Sequence, residues 1–148
     1  MGKVDDYVFV LWAERFDEAA AAVFVAELRE AGLRVKLVSL SSRPAPGAHG
    51  LILAPDMTLE KAISLTSNAV CVVVPAVLPG INRLQDDPRV SDFLVKTRNN
   101  HAVLVTESTS AAALANLAGV SPSSNGVLAY SEAQGVQEFA RQLASRLH

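Results

Sequence analysis

The chain is poor in the residues that most directly announce chemistry. Its one cysteine, Cys71, cannot close an internal disulfide, and with three scattered histidines it makes no zinc-ligand spacing. Neither GxGxxG nor GxxxxGK[ST] occurs, so the backbone cradles that hold nucleotide phosphates are missing and no cofactor or metal is expected. No apolar run approaches the roughly 20 residues of a membrane span. The opening MGKVDDYVF carries acids where a secretory signal has its apolar segment, and Asp6 stands where a myristoylation pattern wants Ser or Thr. A soluble, cytoplasmic protein without a membrane partner is the expectation. The formal charge is −2 and Lys and Arg are dispersed, which leaves no basic block for nucleic acid.

What the chain does have is apolar sequence in strand-like and helix-like packets. With 148 residues, 50% of them apolar and 19% charged, one domain spanning residues 1–148 is expected and general disorder is excluded. YVFVLWA (7–13) reads as a strand buried on both faces. In the segment that follows, Ala20, Phe24, Leu28 and Ala31 fall on one helical stripe, and Gly32 is placed to end it. LRVKLVSL reads as a second strand, SSRPAPGAHG (41–50) as a linker, LILA (51–54) as a short strand, and Thr58 as a helix cap. AVCVVVP (69–75) is the strongest strand signal. Pro88 opens a helix with Val90, Phe93, Leu94 and Thr97 as its stripe. AVLVT, the helix SAAALANLAG, the short strand VLAY and a terminal helix with Val136, Phe139, Leu143 and Leu147 inward complete the pattern. Alternation of this kind predicts an α/β fold with a doubly wound, mostly parallel sheet, a flavodoxin-like three-layer sandwich with ligands at the carboxyl ends of its strands.

Two tenants of that architecture fit poorly. The loop AERFDE after the first strand has acids and no glycine, so it would repel a flavin phosphate. A phospho-receiver needs acids at the other end of the first strand from Asp5 and Asp6, and a lysine after AVLVT, which is absent. The third tenant is an enzyme with a nucleophile held at a tight strand-to-helix turn. The stretches VFVLWAERFDEAAAAVFVAELREAGLRVKLVSL, LILAPDMTLEKA, VCVVVPAVLPGINRL, HAVLVTESTSAAALANLAG and VQEFARQLASRL resemble, in order, the segments of the ThiJ/PfpI superfamily, the proteins related to the parkinsonism-associated deglycase, with a class I glutamine amidotransferase-like fold. That resemblance implies an elbow cysteine, a glutamate from the first helix, an assisting histidine, and an oxyanion-binding backbone near a Pro-Gly-Gly.

The chain departs from each. Its elbow position carries Glu107, its helix position Ala20, two residues beyond Glu18, and its Pro-Gly-Gly position Pro75, Ala76 and Val77. The insertion that supplies the histidine is replaced by SPSSNG. Cys71 lies inside a strand, where a core role is the ordinary one. The expectation is a divergent, shortened member with a degenerate elbow, working as a non-catalytic, homodimeric binding or regulatory module. The alternative is a small-molecule hydrolase or a glyoxalase/deglycase-like enzyme using Glu107, and a third possibility is a pocket completed by another chain. Glu107 is the weak catalytic candidate, either a relic, a polar anchor or a base; a one-residue shift would put Thr106 or Ser108 at the tip. The candidate ligand pocket comprises Trp12, Glu14, Ala76, Val77, Thr106, Glu107 and Ser108. Trp12 is either a core aromatic or a stacking platform, and Glu14, Asp17 and Glu18 either complement the helix dipole or, with Arg15, line the crevice. The resemblance also implies dimerisation through the first helix and the segment APDMTLE, for which Val23 and Val25 add apolar surface.

Overall fold

Tyr7–Trp12 forms β1, and its side chains from Val8 onward are buried whichever face they point to, as the unbroken apolar run requires. The computed structural model describes residues 6–121, 126–131 and 135–147. After β1 come α1 (Glu18–Glu30), β2 (Val35–Ser39), β3 (Met57–Thr58), α2 (Leu59–Ile63), β4 (Ala69–Val74), α3 (Leu78–Leu84), α4 (Pro88–Asn99), β5 (Val103–Glu107), α5 (Ala111–Ala118), β6 (Val127–Tyr130) and α6 (Val136–Leu147). The six strands lie in the order β3-β2-β1-β4-β5-β6, and every pairing is parallel. Helices α1 and α6 pack together on one face; α2, α4 and α5 cover the other.

Local chemistry sets the element ends. Asp17 caps α1 by accepting from the Ala20 N–H at 3.1 Å, and Asp87 caps α4 by accepting from the Arg89 N–H at 3.0 Å, with Pro88 in the first turn. α5 ends at Gly119, whose φ of 71° is the left-handed conformation that closes a helix. The stripe Ala20, Phe24 and Leu28 is buried against the sheet, and on the opposite face Val90, Phe93, Leu94 and Thr97 do the same. Phe24 anchors the α1 and α6 layer, its ring centroid 5.2 Å from that of Tyr130 and 6.1 Å from that of Phe139.

Two details differ from the expectation. LILA is not a strand of the sheet: Ile52 makes only an isolated antiparallel bridge to Pro46, and Leu51 and Ile52 are exposed. The chain doubles back there, with the Gly47 N–H donating to Leu51 O, and the third strand forms later, at Met57–Thr58. A further helix, α3, follows β4 where the sequence pattern predicts none, and its first turn holds Pro79. No helix among the described residues is long and apolar enough to cross a membrane.

Replacing Phe24 by Ala should remove about 3–5 kcal/mol of stability through lost burial and a residual cavity. Urea unfolding followed by far-UV circular dichroism should show a lower midpoint with an unchanged slope.

Candidate functional site

The strand order reverses direction between β1 and β4, so the connections leaving their carboxyl ends diverge and leave a crevice, the usual ligand position in such sheets. A cavity of about 510 Å³ occupies it. One wall is the turn after β1, with Glu14 and Arg15; the second is Pro46, Gly47 and Ala48; the third is Val77 and Pro79 at the start of α3. The walls are tied together by main-chain bonds. Arg15 N–H donates to Pro46 O at 2.9 Å, Asp17 N–H to Pro75 O at 2.9 Å, and Ala48 N–H to Phe16 O at 2.8 Å.

Glu18 holds the second wall in place. Its side chain is buried, and its Oε2 accepts from the His49 N–H at 2.7 Å and the Leu51 N–H at 3.1 Å, while Oε1 lies 3.0 Å from His49 Nδ1. Burial alone would raise its pKa. Hydrogen bonds from its own backbone N–H, from the His49 side chain and from the Leu51 and His49 backbone outweigh that and bring it from 4.5 to about 2. Gly47 makes the arrangement possible, because a Cβ there would collide with Glu18 Cγ and Cδ. Among the alternatives for the acids near the first turn, Glu18 is therefore a loop clamp, and Asp17 is a cap. Glu14 is at the crevice, paired with Arg83 at 3.1 Å.

The elbow is relaxed. Glu107 has φ −70° and ψ 147°, an ordinary extended conformation, and caps the 3₁₀ turn Ser108–Ser110. Its carboxylate accepts from the Thr109 N–H at 2.9 Å, from the Thr109 hydroxyl, and from the Ser108 hydroxyl at 3.0 Å. Burial works to raise its pKa, but the bonds from Thr109 and Ser108 outweigh that, and the net shift is downward. The remaining candidates separate. Thr106 is buried and donates to Val74 O at 2.8 Å; Ala76 is buried and accepts from the Ser110 hydroxyl at 2.7 Å. Trp12 is buried, with its indole N–H on Ala45 O at 3.0 Å and its ring edge-on to Phe16. It borders a neighbouring crevice of about 240 Å³ shared with Glu14, Ser39 and Arg43. Of the seven pocket candidates, the structure brings Glu14 and Val77 together on the main cavity; Glu107 and Ser108 are not among its lining residues. Cys71 is fully buried, and burial, against a small opposing effect from Arg146, pushes its thiol up to about 12. Ala20, where the resemblance implies the family glutamate, is buried in the core.

Arg15 lines the crevice beside Glu14 as the sequence suggests, but its left-handed backbone, with φ 69°, the 46–50 wall and the clamp at Glu18 are not legible there. The signal for that wall is the pairing of Pro46 and Gly47 with Gly50 inside the linker-like segment.

The DJ-1/PfpI family profile matches residues 6–124. The chain belongs to that family. Similar solved structures include Drosophila melanogaster DJ-1beta, with 18% identity, a TM-score of 0.81, and coverage of 99% of this chain and 91% of that one. A mutant of a Salmonella typhimurium DJ-1 superfamily protein shares 22% identity, with a TM-score of 0.78 over 96% of this chain and 90% of the other. Oxidized Toxoplasma gondii DJ-1 shares 16%, with a TM-score of 0.77 over 96% and 95%. At these identities the likeness shows the fold. No curated protein sequence matches the chain.

Glu18 gives a pH test whose sign follows from its lowered value. The ionised group stabilises the fold above about pH 4.5, and this contribution is lost as pH falls through about 2. Glu18→Gln mimics the protonated acid, so its melting temperature should lie below that of the parent at pH 7. The gap should narrow from pH 5 downward and close near pH 2. Other carboxylates with lowered pKa values, such as Glu27 and Asp87, titrate in both proteins and cancel in the difference.

Proposed function

We infer that this DJ-1/PfpI chain is a one-domain, non-catalytic, homodimeric binding or regulatory module. The observation that carries the reading is the state of Glu107. A catalytic base works best with a pKa near the operating pH and lone pairs aimed at substrate. This carboxylate has a lowered pKa and directs its oxygens into its own turn. A nucleophile elbow holds its residue on a strained backbone, whereas Glu107 is relaxed. The buried Cys71, with its raised pKa, supplies no replacement thiolate. The cavity itself is intact, which supports binding without turnover.

Dimerisation is supported by an apolar groove of about 380 Å³ between α1 and the segment before β3. Ala22, Val25 and Ala26 line it from α1, and Leu53 and Ala54 line it from the other side. Leu51 and Ile52, which precede Leu53 in the chain, are also exposed. It is the same helix and segment through which the family resemblance implies pairing.

Turnover of methylglyoxal and of a p-nitrophenyl ester should be indistinguishable between the parent chain and Glu107→Gln. A measurable parental rate that the substitution abolishes would instead establish a Glu107-dependent enzyme. In sedimentation velocity at micromolar concentration the parent should be a dimer, and Ala26→Asp combined with Leu53→Asp should give a folded monomer. A monomeric parent would remove the dimeric part of the reading.

A further inference from the structure

We propose that the switch-point cavity is a binding site for a compact organic monocarboxylate, with the Arg15 guanidinium as the partner of the anion. The proposal rests on the reading of the chain as a binding module and names its ligand class.

Arg15 and His101 are the two non-glycine residues with positive φ among those described. At Arg15 the conformation is enforced: Phe16 N–H closes the turn onto Ala13 O at 3.1 Å, and Arg15 N–H is held by Pro46 O. Glycine adopts such a backbone without strain, yet the position carries a long cation. Strain that the surroundings impose at a crevice is the kind that a side chain with a task can account for. Nothing in the fold requires this guanidinium, because the side chain is exposed and forms no hydrogen bond or ion pair with the described residues. It is presented at the edge of the cavity with its five donors free.

The lining decides what sort of anion fits. Glu14 is the one carboxylate on the cavity wall, and Arg83 already engages it. Glu18 lies behind Gly47 with its oxygens turned to His49 and Leu51. The rest of the wall is proline, glycine, Ala48 and Val77, whose side chains offer no hydroxyl, amide or second cation. Such a site matches one bidentate carboxylate head on a small apolar body. Inorganic phosphate, with more charge to neutralise and no apolar part, fits it less well.

The test uses isobutyrate as probe, titrated calorimetrically against the parent chain at constant ionic strength, with isobutyramide and inorganic phosphate as comparisons. Saturable binding of isobutyrate is expected, with isobutyramide and phosphate each weaker by about tenfold or more, the scale of one charge-assisted contact. Arg15→Gly should lose that same factor while its melting temperature stays equal to or above the parent's, since the turn is relieved. Ala48→Trp, which fills the cavity from an exposed position, should also lose binding. An absence of saturation by isobutyrate, equal affinity for the amide, tighter binding of phosphate, or unchanged affinity in Arg15→Gly would each overturn the proposal. Turnover dependent on Glu107 would overturn the binding-module reading while leaving these affinities as they are, so the two failures are distinct.

Discussion

Pairing β1 in parallel with both β2 and β4 is the constraint from which the rest of the molecule follows. A central strand with neighbours on both edges and helices on both faces has no solvent-facing side, so Val8 to Trp12 are apolar without interruption and can carry no chemistry. Polar function is displaced to the strand ends. Because the chain winds outward in one direction through β2 and β3 and in the other through β4, β5 and β6, the two loops leaving the centre separate, and the cavity lies between them.

Within that frame the crevice is built by one acid and one glycine. Glu18 spends its buried charge on main-chain donors of residues 49 and 51, and Gly47 permits the close approach. A segment with little secondary structure of its own thus becomes a wall. Glu107 uses a carboxylate in a similar way, satisfying the Thr109 N–H at the start of a helical turn. Glu107 stands at the elbow position of the family resemblance and Glu18 two residues before its helix position, and both are structural hydrogen-bond acceptors with lowered pKa values.

The fold was legible in the sequence because its signals are local and repeated. Buried strands such as AVCVVVP need no tertiary information to be recognised, and caps such as Asp17 and Pro88 mark helix starts directly. The site was less legible. Whether Trp12 faces a pocket or the core depends on Ala45, thirty-three residues away, accepting its indole proton. The role of Glu18 depends on a loop at a similar remove. LILA carried strand-like composition, but Pro46 and Gly47 turn the chain back, and the sheet edge passes to Met57–Thr58 instead. In each case the decisive contact is between segments far apart in sequence, which periodicity does not encode.

The wide separation of β1 from β4 also has a bearing on synthesis. The edge of β1 that meets Val73 must wait for about 60 further residues after Val10, which at ordinary elongation rates is roughly 3–12 s. During that interval β1, α1 and β2 can assemble as a parallel unit, but one flank of its most apolar strand has no hydrogen-bonding partner from its own chain. The nascent chain is therefore most exposed to mispairing before β4 leaves the ribosome, and chaperone demand should be concentrated in that window.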